Sequence, residues 1–310
     1  MKFAFVFPGQ GSQSLAMMAA YGAAESVRQT FAEASDALGQ DLWAMATEGP
    51  AELLNQTVNT QPVMLAAGVA AYRLWQAQGG AAPALMAGHS LGEYTALVCA
   101  GALGFADGIR LVRLRAEAMQ SAVPEGVGAM AAVLGLDDAA VRAVCAEAAQ
   151  GEVLEAVNFN SPGQVVIAGN KAAVDRGCAL AKEKGAKRAV PLPVSVPSHC
   201  ALMKPAADTL RAALAAIEIK SPEIPVLHNA DVASHADPAA IRDALARQLY
   251  SPVRWVETIQ AMAAQGVELI AECGPGKVLA GLNKRCAEGF TGVALADAAA
   301  MADTLAKLKS

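Results

Sequence analysis

A chain of 310 residues, 54% hydrophobic but only 5% aromatic, is long enough for one large α/β domain or for one that carries an insertion. Its net charge of −5, from 24 basic and 29 acidic side chains, argues against nucleic acid and anionic membranes as partners, so an acidic partner would need a local basic patch. The six cysteines are scattered, with no C-x-x-C and no histidine at ligand spacing, which suits reduced cytoplasmic thiols rather than a disulfide frame or a metal site.

Lys2 to Phe7 predicts a buried first strand leading into the loop Pro8-Gly9-Gln10-Gly11-Ser12. The apolar run before Pro8 is too short for a signal-peptide core. Gly9 and Gly11 begin a dinucleotide-type pattern, but Ser14 stands at the third glycine position and no ribose-binding acid follows, so a Rossmann site is rejected. Helical periodicity then runs from about Ser26 to Leu38 and from about Gln61 to Gln78; the uncharged stretch through Val63 to Tyr72 ends at Arg73 and is no membrane span.

Pro83 to Ala87 predicts a second strand, and Gly88-His89-Ser90-Leu91-Gly92 follows it as G-x-S-x-G. Glycines at those positions permit a sharp strand-to-helix turn that presents the serine hydroxyl clear of the sheet. Glu93 to Ala100 predicts the following helix, stopped at Gly101, so Ser90 would face free N–H groups at a helix N-terminus. The bland alternative is a glycine-rich turn with a capping serine. From Asp107 to Ala122 a helix at 3.6 residues per turn gathers Leu111, Val112, Leu114, Ala118, Met119 and Ala122 on one arc. Arg115 falls in the middle of that arc, opposite Arg110, Arg113 and Glu117. A guanidinium there is costly unless paired, so it meets an internal acid, snorkels, or awaits a carboxylate from a substrate.

Between about Val127 and Val194 the pattern changes. Strands are predicted at Gly128–Gly135, Leu154–Asn158, Gln164–Ala168 and Arg188–Val194, with helices at Asp138–Ala149 and Ala172–Lys184. That β-α-β-β-α-β order is the ferredoxin-like signature. Pro225–Asn229 and Glu268–Glu272 read as further strands of the main body, the second ending in Cys273-Gly274-Pro275-Gly276-Lys277. The chain therefore predicts an α/β fold: a hydrolase-like main domain with a parallel sheet and nucleophile elbow at 1–126 and 195–310, plus an inserted ferredoxin-like α+β subdomain at 127–194.

A serine nucleophile needs a base within hydrogen-bond reach, and the chain has four histidines. His89 adjoins Ser90 on a tight turn and would point away; His235 lies in a polar loop. His199, in Val196-Pro197-Ser198-His199-Cys200, sits where the chain re-enters the main body and a cleft would open, although a structural role remains the alternative.

Phe7-Pro8-Gly9-Gln10-Gly11-Ser12-Gln13, Gly88-His89-Ser90-Leu91-Gly92-Glu93-Tyr94, Val196-Pro197-Ser198-His199 and Gly274-Pro275-Gly276, in this order, make the chain resemble the malonyl-CoA:acyl carrier protein transacylases of fatty acid synthesis along nearly its whole length. The resemblance implies a cytoplasmic, monomeric acyltransferase that works by a ping-pong mechanism. Its substrates would be malonyl-CoA and the phosphopantetheine thiol of acyl carrier protein, with no bound cofactor and no metal. It implies Ser90 as nucleophile, His199 as base, Arg115 as the grip on the malonyl carboxylate, and the backbone N–H groups of Gln10 and Leu91 as oxyanion hole. The backbone carbonyl of Gln248 would orient the histidine, and Asn160 and Gln164 would line the pantetheine channel. An acidic carrier would be met by Lys182, Lys184, Lys187 and Arg188, or by Lys277, Lys284 and Arg285, if these are more than solvated surface. A serine esterase or thioesterase shares the elbow and the histidine, a non-catalytic carrier-binding module shares the frame, and polyketide assembly or malonate decarboxylation would use the same transfer.

Overall fold

The computed structural model describes residues 1–194 and 196–309. Ser195, where the main body was expected to resume, lies outside the described residues. Nine strands fall among them: β1 (Phe3–Phe7), β2 (Leu85–Gly88), β3 (Gly128–Leu134), β4 (Leu154–Ser161), β5 (Gln164–Asn170), β6 (Arg188–Pro191), β7 (Val226–Leu227), β8 (Leu269–Glu272) and β9 (Thr291–Ala294). They form two sheets, one of order β7-β2-β1-β8-β9 and one of order β4-β5-β3-β6. Every pairing in the first is parallel and every pairing in the second antiparallel.

The parallel sheet is covered on both faces, which is why its central strand reads as an unbroken apolar run. Phe3, Phe5 and Phe7 point to one side, where Phe5 meets Trp75 edge-on with ring centroids 5.2 Å apart. Ala4 and Val6 point to the other side, against Trp255, Ile259 and Met262. Each of those buried aromatics is worth about 1.5–3 kcal/mol over exposure, so β1 is fixed from both faces.

The antiparallel sheet has the strand order of a ferredoxin-like fold, with both its helices, Asp138–Ala149 and Lys171–Glu183, packed on Ala131, Val133 and Ile167. Its other face presents Met130, Val157 and Val166 toward Cys200 and the main body. A cleft runs between this face and the ends of the parallel strands.

Several boundaries differ from those expected. The long helix starts at Thr57, not Gln61, and carries Pro62 as its sixth residue, where proline supplies no N–H to the carbonyl four residues before it. β6 stops at Pro191 rather than Val194, because Pro193 has no N–H to continue an edge strand. The strand at Pro225–Asn229 shortens to Val226–Leu227, since the N–H of Asn229 goes instead to the Glu93 carboxylate at 2.8 Å. Helices Lys204–Ala215, Pro238–Gln248, Trp255–Ala264, Val278–Cys286 and Ala298–Lys309, and strand β9, had no counterpart in the sequence reading.

Candidate active site

β1 and β2 are neighbours, with Phe7 opposite Gly88, so the loops leaving their C-terminal ends run side by side. Steric limits explain the glycines. A Cβ on Gly88 would lie 1.8 Å from the Gly92 carbonyl carbon, and one on Gly92 would lie 2.1 Å from the Phe7 oxygen. A Cβ on Gly9 would meet the His89 oxygen at 2.5 Å, so the first loop presses directly on the elbow. At the apex Ser90 holds φ 51, a conformation that a non-glycine residue adopts only when its surroundings impose it. The side chain of Asn229 supplies that constraint: its Oδ1 accepts the Ser90 N–H at 2.8 Å, and its Nδ2 donates to the Gly88 carbonyl at 2.7 Å.

His199 Nε2 lies 2.7 Å from Ser90 Oγ, and His199 Nδ1 lies 2.8 Å from the Gln248 backbone oxygen. A carbonyl only accepts, so Nδ1 carries the proton and Nε2 is left to accept from the serine hydroxyl. His199 is itself strained at φ 66, and its N–H donates to the Leu249 oxygen at 3.0 Å. Burial, reinforced by the Arg115 charge, lowers its imidazole pKa to about 3, so the ring is neutral and able to take a proton at neutral pH.

Arg115, on the helix Phe105–Ala122, is 1% exposed. Its Nη1 donates to Gln61 Oε1 at 2.8 Å, and its Nη2 to Gln248 Oε1 at 3.0 Å and to Ser90 Oγ at 3.2 Å. All three acceptors are uncharged, and Nε has no partner among the described residues. The guanidinium is therefore buried without a contacting acid among the described residues. That removes the internal-acid reading and leaves a cation beside a serine hydroxyl.

The remaining expected residues divide. Gln10 and Leu91 both border the cleft, and among the described residues no acceptor takes either backbone N–H. Asn160 and Gln164 do not line the cleft. Asn160 Oδ1 lies 2.8 Å from His89 Nε2, and Gln164 Oε1 accepts from Arg285 at 3.1 Å. β4 is irregular between Ala156 and Asn158 and again before Ser161, and it brings Asn158 to the cleft instead, its Oδ1 buried and unpartnered among the described residues. Of the basic clusters, Lys184 pairs with Glu147 at 3.4 Å and Arg285 ties the helix Val278–Cys286 to the turn at Pro162. Lys182, Lys187, Arg188, Lys277 and Lys284 are exposed. Among the described residues no group of acids, cysteines and histidines is placed to hold a metal ion, and no helix is long and apolar enough to cross a membrane.

Sequence reasoning missed Gln61, Glu93, His228 and Asn229. Gln61 had a usable signal, a polar side chain in a helix that is otherwise buried nearly throughout. The others had only proximity to named motifs.

The sequence profile of the acyl transferase domain family matches residues 4–305. The chain belongs to the acyl transferase family. It is 61% identical over 305 residues to the malonyl CoA-acyl carrier protein transacylase of Escherichia coli strain K12, covering 98% of this chain and 99% of that one. Its backbone matches the crystal structure of an acyl-carrier-protein S-malonyltransferase from Burkholderia pseudomallei 1710b with a TM-score of 0.97, at 60% identity, over 99% of this chain and all of the other. At 56% identity and a TM-score of 0.98, over 99% and 100% of the two chains, it also matches a malonyl-transacylase solved with its type II PKS acyl-carrier protein.

Proposed function

We propose that this acyltransferase moves malonyl groups from malonyl-CoA to the phosphopantetheine thiol of acyl carrier protein, through an ester on Ser90, to supply fatty acid synthesis. The observation that carries the reading is Arg115: a buried guanidinium with only neutral acceptors, 3.2 Å from the nucleophile's oxygen. In a malonyl ester the free carboxylate stands one methylene beyond the acyl carbon, within reach of a cation so placed. An esterase or thioesterase with an apolar acyl group would leave that charge without a partner, so the hydrolase reading is disfavoured. A carrier-binding module without catalysis would have no use for the hydrogen-bonded Ser90–His199 pair.

In the first half-reaction Ser90 Oγ bonds to the thioester carbon as its proton passes to His199 Nε2. The tetrahedral oxyanion is met by the N–H groups of Gln10 and Leu91, each worth on the order of 3 kcal/mol in acyl-transfer sites. Collapse breaks the C–S bond, and the coenzyme A sulfur leaves with the proton from His199. The carrier thiol then attacks the ester, with the same base taking and returning a proton. Binding of the malonyl carboxylate also offsets the Arg115 charge, one of the causes that hold the His199 pKa down, so the correct substrate strengthens the base that it needs.

Gln248 orients His199 through its backbone oxygen, in the position that a triad acid would hold. Asn158, whose Oδ1 is buried and unpartnered among the described residues at the cleft, joins Asn160 and Gln164 as a candidate acceptor for a pantetheine amide N–H. The division into a main domain at 1–126 and 195–310 and an insertion at 127–194 is supported by the insertion's own buried cluster around Val133 and Ile167, and a cytoplasmic location fits the free thiols. No step requires a metal or a bound cofactor. A second reading, the same transfer for polyketide assembly, is favoured by the relative solved with its type II PKS carrier. Intact-mass measurement after mixing with malonyl-CoA tests the transfer: a malonyl adduct is expected on Ser90, absent in Ser90→Ala, and discharged by holo carrier protein rather than by water. Discharge by water alone would make the protein a hydrolase.

A further inference from the structure

Behind the elbow lies a polar cluster that the transfer mechanism does not use. Glu93, in the first turn of the helix Gly92–Cys99, is fully buried, as are His228, Asn229 and Gln248. Glu93 Oε2 accepts from the Asn229 N–H at 2.8 Å and from Gln248 Nε2 at 2.9 Å, and Oε1 lies 2.7 Å from His228 Nδ1. The carboxylate is thus surrounded by donors.

A carboxamide has a direction: one end donates and the other accepts. Gln248 Nε2 faces two acceptors, Glu93 Oε2 and the Ser90 backbone oxygen at 2.9 Å, so its NH₂ group is committed to that side. Its oxygen must then point the other way, where it accepts from Arg115 Nη2 at 3.0 Å. The amide stands between an anion and a cation with its dipole aligned to both, the arrangement in which neighbouring hydrogen bonds reinforce one another. The same residue's backbone oxygen holds His199. One residue therefore meets the base through its main chain and the carboxylate grip through its side chain.

We propose that the side chains of Gln248 and Glu93 are positioning residues for acyl selectivity: Glu93 fixes the sense of the Gln248 amide, and the amide oxygen holds the Arg115 guanidinium in place for a substrate carboxylate. The inference rests on the malonyl-transfer reading above and adds a side-chain role to Gln248. Neither side chain touches the substrate; their effect on selectivity passes through Arg115, whereas the bonds of the amide to the Ser90 backbone oxygen and of Glu93 to the Asn229 N–H serve both substrates alike.

The test is the ratio of kcat/KM for malonyl-CoA to that for acetyl-CoA, because acetyl transfer uses Ser90 and His199 but has no carboxylate for Arg115. Gln248→Met keeps the backbone carbonyl and removes the amide; loss of a hydrogen bond to a charged group should lower the ratio about tenfold. Glu93→Gln keeps the shape and removes the charge, and should lower the ratio by about threefold. In an Arg115→Ala background neither substitution should move the ratio further, since the two act through the same guanidinium. Equal losses on both substrates would make the cluster merely structural and overturn the proposal, as would an undiminished ratio effect without Arg115. Should Gln248→Met fail to fold, Glu93→Gln decides by the same ratio. A wild-type protein that forms no malonyl adduct on Ser90 overturns the transfer reading and this inference with it, whereas an adduct together with unchanged ratios overturns the relay alone.

Discussion

The parallel sheet and the antiparallel sheet each contribute a wall to the cleft, and the two walls differ in kind. The first carries Ser90 and Arg115 with His199 beside them, joined by hydrogen bonds at 2.7 to 3.2 Å that leave Arg115 Nε without a partner among the described residues. The second presents Met130, Val166 and Leu192, with the Asn158 amide as its polar exception. Groups that must meet a developing charge have to be held before it develops, and a closely packed parallel body does that. A wall that excludes water needs only apolar shape. Chemistry and acyl choice are thus expected to sit on one side of the cleft and general binding on the other.

That division can be broken by substitution. His199→Ala should slow malonyl loading and carrier unloading alike, on the order of 10⁴-fold or more, as expected when one base serves both attacks. Single-turnover measurement of each half-reaction checks this, and a defect in only one of them counts against a shared base. Arg115→Ala should cost malonyl transfer about two to three orders of magnitude in kcat/KM while acetyl transfer falls little. Parallel losses on both substrates with a lowered Tm would instead mark a structural arginine.

The buried imidazole should also leave a mark on stability. His199 is lowered from 6.5 to about 3 in the folded protein, so below about pH 6.5 the unfolded chain binds a proton that the folded one refuses. Stability is then lost progressively as pH falls from 6.5 toward 3, by about 2 kcal/mol at pH 5 from this group. Denaturant unfolding at pH 7 and pH 5 should show a smaller loss in His199→Ala than in wild type; equal losses would argue against a buried neutral ring. The smallest effect belongs to the opposite wall. Leu192→Ala should raise KM about threefold for malonyl-CoA and acetyl-CoA alike and leave kcat nearly unchanged, since only uniform binding area is removed. A selective loss of malonyl transfer there would blur the distinction between the walls.

Local patterns revealed much of this in advance. The elbow was legible because the collisions that require Gly88 and Gly92 arise within a few residues of Ser90 and with the adjoining β1. The ferredoxin-like insertion was legible because strand and helix periodicities alternate in a fixed order over one continuous stretch. Arg115 was legible because a charge on an apolar arc stands out whatever the partner. The helices beyond Lys204 were passed over, among them Pro238–Gln248, which delivers Gln248 to the site.

What the sequence by itself determined is the set of local geometries: a forced turn at Ser90, an inward-facing guanidinium on its helix, and two kinds of sheet. Only the tertiary structure decided what those groups meet. Arg115 and Gln61 are 54 positions apart, Ser90 and His199 are 109, and Gln248 and Glu93 are 155. Nothing local in the chain couples such distant residues. The placing of Asn158 at the cleft and of Asn160 against His89 has the same origin, since pairing along β4 is irregular. Steric rules act between neighbours and can be read along the chain, whereas hydrogen-bond partners are chosen by packing, which exists only once the chain has folded.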